Sequence, residues 1–285
     1  MGSITLPAYA KINISLDVTG RRPDGYHTVE MIMQTLSLKD LITVESIEED
    51  AVIISCSRED VPVGPGNLCY KAALLMKETF GIPGGFRIHI DKHIPMAAGM
   101  AGGSSDAAAV LKAINSLSGL NASLKELELT ALKLGADVPY MLYTGPYLSQ
   151  GIGEILTPLK ALPKSFVLTV TPECSISTKD IYEAFDALKD PVHPDTAAVL
   201  EAIDTGSTEG IIAAWANSLE AVTAAFCPEI ATIKQTLSDL GAAGAMMSGS
   251  GPTVFALFNE REKAEATLAV ISRNYSQAYI SEFIN

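Results

Sequence analysis

The chain has 285 residues, 48% of them hydrophobic and 19% charged, with a formal net charge of −13. That balance excludes a disordered chain and supplies apolar surface for one large domain or two ordinary ones. The acidic excess argues against nucleic acid or an anionic membrane surface as a partner.

No apolar run approaches the roughly 18 residues that a membrane span needs. The opening MGSITLPAYAKINIS lacks a basic start followed by an apolar block, so no secretory signal is expected and a cytoplasmic location is. Cys56, Cys69, Cys174 and Cys227 show neither metal-ligand spacing nor a disulfide framework, and are expected as buried, reduced thiols.

Residues 10–19 alternate Ile12, Ile14, Leu16 and Val18 against Lys11, Asn13, Ser15 and Asp17. This is the pattern of a half-buried strand, and it points Lys11 and Asn13 the same way. Residues 20–27, GRRPDGYH, form a turn-rich loop. Composition alone favours packed loop anchors for Tyr26 and His27 over ligand contacts. Residues 31–54 read as further strand. Asn67 can cap a helix running to about residue 80, with Gly81 at its end. Phe86, Ile88 and Ile90 alternate along a strand whose end carries Lys92, placed either to meet a phosphate or to lie in solvent.

Residues 95–115 read PMAAGMAGGSSDAAAVLKAIN. Pro95, Met96, Ala97, Ala98 and Gly99 open the stretch. Met100, Ala101, Gly102, Gly103, Ser104 and Ser105 carry it into a helix marked by Val110, Leu111, Ile114 and Leu117. The first half has no charged and no β-branched side chain. A flexible loop entering a helix gathers unpaired N–H groups and the positive end of the helix dipole, which suits a phosphate. A plain tight turn is the other reading of such a loop. It is neither G-x-x-x-x-G-K-[ST] nor G-x-G-x-x-G.

A helix around residues 124–134 stops at Gly135, and GADVPY follows. Asp137 sits among small and apolar neighbours, before a proline that bars regular helix. It is a cap or a functional group. Residues 146–163 are broken by glycine and proline, and a soft domain boundary falls near residue 160. Then come a strand at 166–170, a helix at 179–188 with Ile181, Tyr182 and Phe185 on its apolar stripe, and helical patterns at 195–203, 208–225 and 228–240. Trp215 and Phe226 read as core. A second small-residue loop, SGSG at 248–251, leads into a strand at 253–258. A helix at 261–271 and a strand at 279–283 close the chain. Without a regular βαβ repeat, the class is α+β.

AKINISLDVTGRRPDGYH, IPMAAGMAGGSSDAA and SGSGPTVFALF, in that order, resemble the three motifs of the GHMP small-molecule kinases. The resemblance implies a two-domain α+β fold, here residues 1–160 and 161–285, with the active site in the cleft between domains. The first motif, with LGADVPY, GIGE and SISTKDIY, is similar to members that act on cytidyl-diphospho-methylerythritol. Such members move the γ-phosphate of ATP to the 2-hydroxyl of the methylerythritol part, a step of non-mevalonate isoprenoid precursor synthesis. By that resemblance Asp137 is the catalytic base and Lys11 the catalytic cation. Residues 95–105 are the ATP phosphate loop, and Lys92 and Asn67 lie on the ATP side. Tyr26, His27 and Tyr182 frame a cytosine, with Asn13 near the methylerythritol hydroxyls. Mg²⁺ is expected to accompany ATP, with no acidic ligand for it among the motif residues. No obligate protein partner is expected.

Overall fold

Residues 2–285, the part of the chain that this computed structural model describes, contain ten strands, nine α-helices and one short 3₁₀ helix. They form two compact units that interleave along the chain. Unit 1 takes the stretch up to Ala10, Lys39–Met96 and Ala101–Thr144. Unit 2 takes Lys11–Leu38, Ala97–Met100 and Gly145–Asn285. Two long paired strands, β1 (Ser3–Arg21) and β2 (His27–Ile47), each contribute to both units.

In unit 1 the far half of β2 pairs antiparallel with β4 (Gly85–Asp91), Leu41 facing Asp91 and Ile47 facing Gly85. The short β3 (Val52–Cys56) runs parallel to β4. Alternation decides the faces: Phe86, Ile88 and Ile90 are buried, while Arg87 and His89 between them are exposed. Helix α1 (Leu68–Phe80) starts where the Asn67 side chain accepts from the Cys69 N–H at 2.8 Å. It ends where Gly81 turns left-handed at φ 63°. It packs on α2 (Gly102–Leu117) through Cys69, Ala72, Ala73 and Met76, and small residues on α2 admit the close approach. Helix α3 (Leu124–Leu132) carries a full capping box between Ser123 and Glu126. The 3₁₀ turn Tyr140–Leu142 then packs back on α2.

In unit 2 the near half of β2 pairs with β5 (Tyr147–Gln150), which forms a hairpin with β6 (Ile155–Pro158). The sequence pattern hides this hairpin, because four-residue strands flanked by Gly and Pro show no periodicity. A four-stranded antiparallel sheet follows. Its strands are β7 (Phe166–Thr171), β8 (Gly244–Met247), β9 (Val254–Phe258) and β10 (Gln277–Glu282), in the order β10-β7-β9-β8. The helices of unit 2 are α4 (Thr178–Phe185), α5 (Thr196–Thr205), α6 (Thr208–Ala214), α7 (Glu220–Phe226), α8 (Glu229–Asp239) and α9 (Arg261–Ile271). Of these, α8 and α9 pack on that sheet, burying Ile230, Ile233, Leu237, Ala264 and Ile271.

Four expectations need correction. The helical pattern at 208–225 is two helices. Asn217 forms a bridge to Leu16, and its amide donates to the carbonyls of Met247 (2.9 Å) and Gly249 (2.8 Å), which pulls the intervening residues out of helix. The small-residue stretch before SGSG contains a strand, β8, paired with β9. Phe226 is 55% exposed rather than core, because Val222, Thr223 and Cys227 hold the inward positions at that end of α7. Cys174 and Cys227 are not separate thiols but a disulfide with Cα atoms 6.3 Å apart. Cys56 and Cys69 are free, as expected. Among the described residues no helix is long and apolar enough to cross a membrane.

Candidate active site

Residues 97–100 of the small-residue loop belong to unit 2 and are fastened there by β1 and by the SGSG turn. The Lys11 N–H donates to the Met100 carbonyl at 3.1 Å. The buried Lys11 ammonium donates to Asn13 Oδ1 at 2.6 Å and to the Gly99 carbonyl at 3.0 Å. Ser248 Oγ donates to the same carbonyl at 3.0 Å and accepts from the Asn13 N–H at 3.2 Å. Gly99 cannot be anything else: its φ is +73°, and a Cβ there would stand 2.1 Å from the Ser248 carbonyl oxygen. Two of the motifs read from the sequence, and the loop between them, thus meet in one hydrogen-bonded cluster.

The remaining loop residues lead into α2 in unit 1. Ala101 is left-handed, at φ 54° and ψ 27°, and no side chain caps the helix. The start of α2 thus has no side-chain cap and carries the positive end of the helix dipole, an arrangement that suits a polyphosphate. Gly103 is exposed there and Ser104 half-buried, while Ser105 is buried.

Lys92 is neither solvated nor open to a ligand. It is buried, with Nζ 2.5 Å from Asp40 Oδ2 and 2.7 Å from Asp106 Oδ2. Asp40 uses its other oxygen to accept from the backbone N–H groups of His93 (2.5 Å) and Ile94 (2.8 Å). Burial would depress the Lys92 ammonium, but the two carboxylates outweigh it and hold its pKa above the ordinary value. Burial pushes the Asp106 carboxyl up to about 8, Lys92 opposing the rise and Asp40 adding to it. Asn67, the other residue expected on the nucleotide side, serves as the α1 cap and donates to the Pro62 carbonyl at 2.6 Å.

Asp137 lies in unit 1, on the turn between α3 and the 3₁₀ helix, where Pro139 prevents helix from continuing. It is half-buried. Its carbonyl accepts from the Met141 N–H at 3.4 Å, which ties down the backbone of the turn.

A second cluster in unit 2 gathers His27 and α4. The rings of His27 and Tyr182 stack with centroids 4.8 Å apart and planes at 29°. His27 Nε2 meets Asp186 Oδ1 at 2.7 Å, and Arg21 reaches Asp186 Oδ2 at 2.9 Å. Tyr182 and Asp186 stand four residues apart, one helical turn, so α4 offers an aromatic ring and a carboxylate on the same face. Tyr26 is 62% exposed, as a ring available to a ligand would be.

Sequence reasoning missed Asp40, Asp106 as a partner of Lys92, Asp186, and the use of the Ser248 hydroxyl. Asp40 left one trace, a lone carboxylate within the strand pattern LSLKDL. Asp186 left another, its i+4 spacing from Tyr182. The His/Cys/Asp/Glu grouping found close enough for an ion among the described residues is Cys174, Cys227 and Glu229. Its two sulfurs are already bonded to each other, and Mg²⁺ takes oxygen ligands.

Comparison with known proteins identifies the family. Residues 67–145 match the family described as GHMP kinases N terminal domain, and residues 199–277 match GHMP kinases C terminal. A 4-diphosphocytidyl-2-C-methyl-D-erythritol kinase of Lachnoclostridium phytofermentans is 48% identical over 93% of this chain and 91% of its own. One of Clostridium botulinum is 45% identical over 98% and 99%. A crystal structure of 4-(cytidine 5'-diphospho)-2C-methyl-D-erythritol kinase superposes with a TM-score of 0.84 at 33% identity, covering 99% of this chain and 100% of that one. A homoserine kinase from Cytophaga hutchinsonii shares the fold, with a TM-score of 0.77 at 20% identity, covering 100% of this chain and 95% of that one.

Proposed function

This chain belongs to the GHMP kinases, and within them to the 4-diphosphocytidyl-2-C-methyl-D-erythritol kinases, and from that membership we propose how its own residues carry the reaction. The enzyme transfers the γ-phosphate of ATP to the 2-hydroxyl of 4-diphosphocytidyl-2-C-methyl-D-erythritol. A bond forms between the hydroxyl oxygen and the γ-phosphorus, the bond from that phosphorus to the β–γ bridging oxygen breaks, and ADP leaves. The observation that supports this reading best is the uncapped first turn of α2 behind the Gly-rich loop, a ready anion site in a chain of net charge −13.

Asp137 accepts the hydroxyl proton as general base. Lys11 supplies the positive charge that the developing phosphoryl negative charge requires. Residues 95–105 cradle the ATP phosphates through backbone N–H groups, with the Ser104 and Ser105 hydroxyls adding donors. Asn67 and Lys92 support the nucleotide side through structure, as cap and as buried cation. Tyr26 and Tyr182 stack on the cytosine, His27 reads its edge, and Asn13 lies near the methylerythritol hydroxyls. Mg²⁺ accompanying ATP would neutralise phosphate charge, while the protein residues bind and orient the two substrates. We keep residues 1–160 and 161–285 as the functional division of the chain. As an ATP-consuming step of non-mevalonate isoprenoid precursor synthesis, the reaction belongs in the cytoplasm.

The test is an ADP-release assay across the cytidyl substrate, mevalonate and homoserine. Turnover with the cytidyl compound alone is expected. Turnover with mevalonate or homoserine instead would reassign the chain to a sister specificity.

A further inference from the structure

Lys92 lies at the end of β4, just before the loop, and its amine sits directly beneath the start of α2. A Cβ added to Gly102 would come within 3.0 Å of Lys92 Nζ and 3.0 Å of the Ile94 side chain. The amine is pinned by one carboxylate from β2, Asp40, and one from the first turns of α2, Asp106. Asp40 also fixes the chain direction after β4, by accepting from His93 N and Ile94 N. Asp106 Oδ1 is buried and has no hydrogen-bond partner, so one side of this carboxylate is unsupported. Such a cluster is expensive to bury, and replacing it with apolar residues would often stabilise a protein. Its position under an anion site gives it another use.

We propose that Asp40, Lys92 and Asp106 form a positioning triad that holds the first turn of α2 in register for the ATP phosphates and sets ATP affinity through the charge beneath them. The proposal rests on reading the α2 N-terminus as the phosphate site. None of the three residues touches the reacting atoms. The titratable groups facing Asp106 are Asp40 from β2, Lys92 just after β4 and Cys69 from α1, with Cys56 behind Cys69. Burial pushes the Cys69 thiol well above its ordinary value, so it stays neutral beside Asp106. With Asp106 protonated the triad carries one positive and one negative charge. With Asp106 ionised it carries a net negative charge under the phosphates. ATP binding and Asp106 ionisation therefore oppose each other, and by linkage ATP binding draws a proton onto the carboxyl.

The test compares the unaltered enzyme with Asp106→Asn from pH 6.5 to 9. In the unaltered enzyme KM for ATP is expected to rise by about tenfold as pH passes the Asp106 transition, a usual size for coupling between two bound ligands. KM for the cytidyl substrate should stay level, and kcat should change less than KM for ATP. Asp106→Asn, which keeps the shape and removes the charge, should flatten the ATP profile. Calorimetry at pH 8 in buffers of different ionisation enthalpy should show proton uptake with ATP in the unaltered protein and none in Asp106→Asn. Lys92→Met should raise KM for ATP at every pH; if that variant does not fold, the Asp106→Asn comparison decides. Identical pH profiles for the unaltered enzyme and Asp106→Asn would overturn the proposal, as would a loss confined to kcat. Absence of ATP binding in the unaltered protein would overturn the kinase reading itself, and this inference with it.

Discussion

Lys11 and Gly99 are joined by a hydrogen bond of 3.0 Å from the Lys11 ammonium to the Gly99 carbonyl. The same ammonium donates to Asn13 two residues along its own strand. A buried cation is thus held by a loop carbonyl and a side-chain amide. Lys11→Met removes the cation and leaves polar groups short of a donor. It is expected to cost about 1–3 kcal/mol of stability, the penalty of an unsatisfied buried group. Turnover should fall by about 10²–10³-fold, as for loss of a group stabilising transition-state charge. Urea denaturation and steady-state kinetics check the two separately, and full activity in a folded Lys11→Met would remove Lys11 from the chemistry.

Asp137 has its backbone held by the turn through the Met141 N–H. Asp137→Asn keeps its size and its backbone hydrogen bond. Turnover is expected to drop by about 10²–10⁴-fold, the usual worth of a general base, with both substrates still bound. Single-turnover kinetics and calorimetric binding read these out. Normal phosphoryl transfer by the variant would require another base.

Gly99→Ala places a Cβ against the Ser248 carbonyl at a φ that L residues avoid. The loop must shift to accept it. A loss of about 1–3 kcal/mol, typical of overpacking, is expected together with weaker ATP binding. Thermal unfolding and ATP titration test this, and an unchanged melting temperature would show that the loop can move at no cost.

Asp186 holds His27 against Tyr182 and should act on the cytidyl substrate alone. Asp186→Ala removes a hydrogen bond to a charged group, worth about 1.5–3 kcal/mol. KM for the cytidyl substrate is expected to rise about tenfold or more, since 1.4 kcal/mol is tenfold. KM for ATP should not move. Equal effects on both substrates would point to general loosening of unit 2.

Asp106 also links stability to pH. Its carboxyl titrates near pH 8 in the folded protein, against an ordinary value of 3.8. Between those values the folded state binds the proton and the unfolded state does not. The contribution is full below about pH 4 and is lost as pH rises through 8. Asp106→Asn should flatten that slope in urea titrations across pH 5 to 9. A slope that survives the substitution belongs to another group.

Much of the local structure was legible in the chain. The alternation of β1, the Asn67 start and Gly81 stop of α1, and the Gly-rich entry to α2 each rest on neighbours a few residues apart. For β3 and the helices after residue 160, periodicity marks the element but displaces or merges its ends. Asn217 shows why: its bridge to Leu16 ends a helix that periodicity would continue.

The alternation of β1 and β4, the ends of α1 and the order of the three motifs can be read from the chain, because they follow from local backbone preference and the spacing of apolar side chains; β5, β6, β8 and the break between α6 and α7 cannot. The packing of distant segments is what pairs Lys92 with Asp40 and Asp106, His27 with Asp186, and Cys174 with Cys227. Asp40 and Lys92 are 52 positions apart, and His27 and Asp186 are 159 apart. Periodicity says that a side chain points inward. Which charge or ring it meets there depends on how distant segments pack, and that pairing decides whether a buried lysine serves a ligand directly or holds the loop that does.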